Sequence, residues 1–116
     1  MTKKRRTVRL GGEAERDFAA ILAWTEDQFG RQQASTYKTT LWQAIRAIAA
    51  DPFCVGSKSR DADVGPNFRT LHVARAGRKG RHIVLYRVEG DMILILRILP
   101  DAMETSRHLP QDDDQP

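Results

Sequence analysis

The chain has 116 residues, 41% hydrophobic and 29% charged, ordinary values for one soluble globular domain with a modest core. Its single cysteine, Cys54, excludes an intramolecular disulfide and argues against a cysteine-based metal site. No apolar run nears the roughly 20 residues that span a bilayer. The net charge of +4 favours an acidic partner, either nucleic acid or an acidic protein.

The opening MTKKRRTVRL is basic and has no apolar stretch behind it, so it does not read as a secretory signal. A reducing cytoplasm is the expected compartment. Thr7 to Leu10 reads as a short strand, expected at a sheet edge beside a later strand, and Gly11-Gly12 breaks it. From Glu13 the spacing turns helical, with Ala14, Phe18, Ile21, Leu22, Thr25 and Phe29 along one face. Glu13, Glu15 and Asp17 complement the positive end of the helix dipole, Gly12 stands in for a polar cap, and Gly30 ends the helix.

A second helix is expected from about Gln32 to Ala50, with Ala34, Tyr37, Leu41, Ala44, Ile45 and Ile48 as its apolar stripe. Asp51-Pro52 stops it. The two helices should form an antiparallel hairpin whose apolar face needs a sheet. Trp24 and Trp42 read as hairpin or sheet contacts, and an exposed Trp24 would instead mark a partner surface. Phe53 to Pro66 shows no period and reads as a surface connection, with Cys54 as a small buried residue.

Three strands follow: Phe68 to Arg75, Arg81 to Val88 and Met92 to Leu99. In the first, Leu71 and Val73 share a face with Arg69 and Arg75, while Thr70 and His72 point the other way. Ala76 to Gly80 forms the first turn, its glycines available for positive φ, and Glu89-Gly90-Asp91 forms a tighter second. The order is β-α-α-β-β-β, an α+β class with a helical hairpin packed on a small, mainly antiparallel sheet. Residues 1–109 form one domain, and 110–116, with Asp112, Asp113 and Asp114, read as a disordered polar tail.

Arg69, Arg75, Arg81, Arg87 and Arg97, with Arg78 and Lys79 in the loop, form the main candidate constellation. No acid falls between Gly65 and Val88, which argues against a self-neutralising surface. Guanidinium groups on strands can hold phosphate or carboxylate in fixed, two-pronged geometry. The plain alternative is a solvated sheet face. Catalysis would draw on His72, His82, Tyr86 and His108. Strand phase turns His72 away from Arg69 and Arg75 and puts His82 with Tyr86, which assembles no acid–base pair beside the cations. No metal-ligand spacing, phosphate-binding glycine loop or nucleophile elbow occurs, and no cofactor is expected.

Arg9-Leu10, then Glu13-Ala14-Glu15-Arg16-Asp17 opening a helix, then Asp51-Pro52 closing one, resemble the ParE/RelE superfamily of bacterial type II toxins. So do Arg69-Thr70-Leu71-His72-Val73, Tyr86-Arg87-Val88 and Ile95-Leu96-Arg97-Ile98-Leu99 followed by Met103. The resemblance runs from about Val8 to Leu109. It implies a toxin neutralised by a ParD-like antitoxin, in a toxin–antitoxin hetero-oligomer and away from membranes. ParE-like members are similar to inhibitors of DNA gyrase that are not enzymes; RelE-like members cleave messenger RNA on the ribosome.

The long helical hairpin, Tyr86-Arg87-Val88 and Ile95 to Leu99 fit the ParE branch. RelE-like ribonucleases carry basic residues and a catalytic tyrosine after the last strand, where this chain has Pro100-Asp101-Ala102-Met103-Glu104. Two features depart from the ParE pattern: Pro100 replaces a frequent histidine, and the Ala76 to Gly80 loop is longer. The ParE reading implies gyrase as target, with the sheet arginines, Met103, Arg107 and His108 as target or antitoxin contacts. A RelE-like ribonuclease and a non-toxic antitoxin-binding module are the alternatives.

Overall fold

The computed structural model describes residues 6–103. The elements are β1 (Thr7–Leu10), α1 (Gly12–Phe29), α2 (Arg31–Ala50), β2 (Lys58–Ser59), β3 (Phe68–His72), β4 (His82–Glu89) and β5 (Met92–Pro100). A 3-10 turn closes them at Asp101–Met103. The sheet order is β1-β5-β4-β3-β2. β1 lies parallel to β5 at one edge and all other pairings are antiparallel, so the expected α+β class and helical hairpin hold.

One face of the sheet carries the core. Leu71 and Val73, Val84 and Tyr86, and Ile93, Ile95 and Ile98 pack with Ala14 of α1 and Leu41, Ala44 and Ile48 of α2. Each fully buried Val, Leu or Ile among them contributes about 1.5–3 kcal/mol. An exposed ion pair such as Arg16–Glu13 is worth about 0–1. Packing therefore holds the two layers together.

The α2 stripe is buried as expected apart from the half-buried Tyr37. On α1 the expected stripe fails at its last member: Phe29, the final residue of α1 beside the Gly30 turn, is 65% exposed. Gly11, not Gly12, is the cap of α1. Its N–H bonds Ile95 O at 2.9 Å, and a Cβ there would lie 3.3 Å from the same oxygen. The close approach of helix start to β5 needs a small residue.

Two further boundaries differ from the sequence reading. The connection after α2 contains β2, whose Lys58 and Ser59 pair with Thr70 and Arg69, a bridge too short to show a period. β3 ends at His72 because the His72 ring accepts from Ala74 N–H at 3.0 Å and turns the chain. Arg75 is therefore in the loop, where its carbonyl accepts from Arg78 N–H. In that loop Ala76 and Gly77 take positive φ, of 52° and 80°; Gly80 does not. Gly80 is there for space: a Cβ would meet Val73 Cγ2 at 2.4 Å.

The β4–β5 register shifts between Leu85 and Tyr86, leaving Leu96 as the extra residue of a bulge. Ile93 and Ile95 face the helices. The bulge then returns Ile98 to that face, where strict alternation would have put Arg97.

Candidate functional site

The sheet places the five candidate arginines in different surroundings. Arg69 lies opposite Tyr86 on the helix-facing side. Its Nε donates to Ser57 Oγ at 2.7 Å and its guanidinium sits 4.9 Å from the centre of the Phe53 ring. Ser57 Oγ is also 2.6 Å from the Tyr86 hydroxyl, which donates to Pro52 O. Burial pushes the Tyr86 phenol up, so it remains a neutral donor. Arg69 thus ties the 52–57 connection to the sheet.

Arg97 donates Nε to Asp17 Oδ2 at 2.8 Å and a terminal nitrogen to Oδ1 at 3.1 Å. Asp17 Oδ2 also accepts from Ile98 N–H at 2.9 Å. Burial alone would raise the Asp17 carboxyl, but Arg97, Ile98 N–H and the nearby Arg16 outweigh it and hold it below its ordinary value. Asp17 is therefore not a dipole complement; Glu13 and Glu15 fill that role.

Arg87 pairs with Phe68 across β3 and β4 on the opposite face, 5.6 Å from its ring, and bridges to Glu89. Arg81 is exposed just before β4, and Arg75 is half-buried in the loop. The backbone places Met103 at the end of the 3-10 turn. Arg107 and His108 lie outside the described residues, as do Lys3, Lys4, Arg5 and residues 110–116.

The histidines follow the expected phase. His72 turns away from Arg69, and its Nε2 meets Asp101 Oδ2 at 3.2 Å, which holds that carboxyl below its usual range. His82 faces the helices. Its Nδ1 is 2.6 Å from the Tyr37 hydroxyl, which also accepts from Arg81 N–H at 3.1 Å. Burial pushes the His82 imidazole down against the pull of Asp101, so the ring is neutral and Tyr37 is placed to donate to it.

Sequence reasoning missed a groove between the end of α1, the first half of α2 and the β3–β4 loop. It has a volume of about 440 Å³ and is lined by Trp24, Phe29, Tyr37, Lys79, Arg81 and His82, among others. Trp24 is 59% exposed, so it is not the hairpin contact expected; its ring meets Phe29 edge-on at 5.8 Å. Trp42 does pack in the hairpin, 5.2 Å from Phe18. The signal available in the sequence was the position of Trp24 off the apolar stripe.

Among the described residues, no three or more His, Cys, Asp and Glu side chains are placed to hold a metal ion, and no helix is long and apolar enough to cross a membrane.

Residues 8–105 match the family model described as ParE toxin of type II toxin-antitoxin system, parDE. Toxin ParE1 of Caulobacter vibrioides is 31% identical over 101 residues, covering 87% of this chain and 95% of that protein. The fold is similar to the structure titled chromosomal ParDE TA system from P. aeruginosa, with a TM-score of 0.65 and 22% identity. That match covers 83% of this chain and 96% of the other. It is also similar to the E. coli DinJ-YafQ toxin-antitoxin complex, at a TM-score of 0.55 and 10% identity, over 86% of this chain and 97% of that one. At these identities the structural likeness speaks for the fold. The family match covers most of the chain, and the chain belongs to the ParE family of toxins of type II toxin–antitoxin systems.

Proposed function

We propose that this toxin acts by binding and not by catalysis, that its target is DNA gyrase in the cytoplasm, and that a ParD-like antitoxin neutralises it in a hetero-oligomer. The observation that carries the non-enzymatic reading is the engagement of its titratable groups. Tyr37 is held by His82 and Arg81 N–H, Tyr86 by Ser57 and Pro52 O, and His72 by Asp101. A general acid or base needs a titrating atom that is free to meet its substrate, and each of these groups already commits its atom to a partner within the chain, Tyr86 in full burial.

Arg81 is exposed, while Arg75 and Arg87 are half-buried and Arg87 is bridged to Glu89; these three are the first candidates for target or antitoxin contact. Met103, Arg107 and His108 are further candidate contacts, and Arg69 and Arg97 contribute what their internal bonds leave exposed. The test is supercoiling by purified gyrase with added toxin, alongside messenger integrity in a translation extract. Inhibited supercoiling with intact messenger is expected, weakened when Arg75, Arg81 and Arg87 are replaced by Ala. Cleaved messenger with unaffected gyrase would move the chain to the ribonuclease reading. Normal growth of cells making the soluble protein would leave an antitoxin-binding module without toxicity.

A further inference from the structure

The outer side of α2 is basic, and no Asp or Glu falls between Gln28 and Ala50. Lys38, Trp42 and Arg46 stand one turn apart along it, at i, i+4 and i+8, each about 6 Å from the next along the helix axis. All three are exposed, Trp42 at 39%. With Thr39 and Gln43 they line an open hollow of about 230 Å³.

The row is braced and electrically unopposed. Phe18 of α1 packs against the Trp42 ring, with ring centres 5.2 Å apart, and so fixes where the ring meets solvent. Among the described residues neither Lys38 nor Arg46 has an ion-pair partner. Positive charge continues on the other flank of α2. There Arg78 Nε donates to Thr40 Oγ1 at 2.9 Å and its terminal nitrogen to Thr36 O at 3.4 Å, which holds the β3–β4 loop and its exposed Lys79 against the helix.

A cation, a flat ring and a second cation in one row match phosphate, base and phosphate of a nucleic-acid strand. Stacking on an aromatic ring tolerates any base, because every base has a π-face. The Gln43 amide adds a donor and an acceptor for a base edge. A protein segment fits less well. Trp42 is the one large apolar side chain lining the hollow, and lysine is depleted at the centres of protein interfaces. Interfaces with nucleic acid are more polar and far more positive. The volume is below that of a pocket for a drug-sized ligand and leaves room for one planar ring system.

We infer that the Lys38–Trp42–Arg46 row binds single-stranded DNA, with one base stacked on Trp42 and the flanking phosphates set against Lys38 and Arg46. The choice of DNA rests on the reading that the target is DNA gyrase; the subsite rests on the row alone.

The test measures fluorescence anisotropy of a labelled mixed-sequence single-stranded deoxyoligonucleotide titrated with the purified full chain over a range of salt. Trp42→Leu keeps an apolar contact for Phe18 and removes the stacking plane, and should weaken binding by about tenfold. Trp42→Phe should retain most of the affinity. Lys38→Gln and Arg46→Gln should each weaken binding and make its salt dependence shallower by about 0.7 in log–log slope. In a Trp24→Phe background Trp42 is the single tryptophan, and its fluorescence should be quenched by the oligonucleotide. Circular dichroism checks the fold of each variant.

Unchanged affinity in Trp42→Leu and in the Lys38→Gln/Arg46→Gln double variant would overturn the subsite, as would no binding by the wild-type chain. Tighter binding of the ribo-oligonucleotide of the same sequence would assign the row to RNA. Equal binding of duplex DNA without quenching would reduce it to a backbone contact. Gyrase inhibition lost in the double variant, with oligonucleotide affinity kept, would give the row to a protein contact. Each of these overturns the inference. Failure of the wild-type chain to inhibit gyrase is a separate result that overturns the gyrase reading, because oligonucleotide binding is measured on the toxin alone.

Discussion

Asp17 of α1 binds Arg97 of β5 through both carboxylate oxygens, at 2.8 and 3.1 Å, across 80 residues of sequence. The same carboxylate accepts from Ile98 N–H. β1 pairs with β5 only as far as Ile95, so the edge beyond it lacks a strand neighbour, and Asp17 supplies the acceptor a strand would have supplied.

Asp17→Ala should therefore destabilise the fold by about 1–2 kcal/mol, discounted from a buried charged bond because Arg97 is partly exposed. Because the folded carboxyl titrates below its ordinary 3.8, this contribution is full above that pH and is lost as pH falls through the folded value. Urea unfolding at pH 7 and at pH 3 checks both parts: the gap between wild type and variant should narrow in acid.

Two glycines should respond differently to alanine. Gly80→Ala drives a Cβ to 2.4 Å from Val73 Cγ2 and 3.0 Å from the Tyr37 hydroxyl, both held in place, and should cost about 1–3 kcal/mol by overpacking. Gly90→Ala meets nothing within 4 Å but must adopt φ +59°, a strain of about 1–2 kcal/mol. Thermal melts compare them. Gly90→Asn should recover most of the second loss and Gly80→Asn none of the first.

Tyr86→Phe removes the hydroxyl that bonds both Ser57 Oγ and Pro52 O beneath Arg69, leaving only the direct Ser57 Oγ–Pro52 O bond of 3.0 Å between them. The expected loss is about 1–3 kcal/mol, since buried polar groups are left with fewer partners. Ser57→Ala should cost less, and the double variant less than the sum of the two, because both act on one network. Denaturant midpoints measure the cycle.

His82 gives a second pH signature. Burial holds its imidazole below the ordinary 6.5, with Asp101 opposing and His72 assisting, so the unfolded chain binds a proton that the folded chain refuses. Stability should decline as pH drops through 6.5 toward the lowered folded value, then level off. His82→Gln should remove that part of the slope, read from melting temperatures across the range. A variant with an unchanged slope would separate His82 from the effect.

The α2 stripe, the two glycine-bearing turns, the phase of Leu71 and Val73 and the orientation of His72 were legible because each depends on local periodicity or backbone preference. The arginines could be counted but not placed as a group. Arg69 turned to Ser57, Arg87 to Phe68 and Glu89, and Arg97 to Asp17, and apart from Glu89, two residues on in the same strand, each partner is remote in sequence or across a strand. The same holds for the groove, whose walls come from α1, α2 and the β3–β4 loop.

By itself the sequence determined a helical hairpin followed by a three-stranded meander, the sheet face that would be apolar, and the basic character of the chain. Those follow from spacings of two and of three to four, which chain geometry imposes on any segment. Only the tertiary structure decided that a bulge at Leu96 would turn Ile98 inward and leave Arg97 for Asp17. It also decided that Phe29 and Trp24 would face solvent at the lip of a groove. A bulge is stabilised by packing on both sides of the strand, and exposure depends on where a helix overhangs its sheet. Neither is a property of the residues one to four positions away.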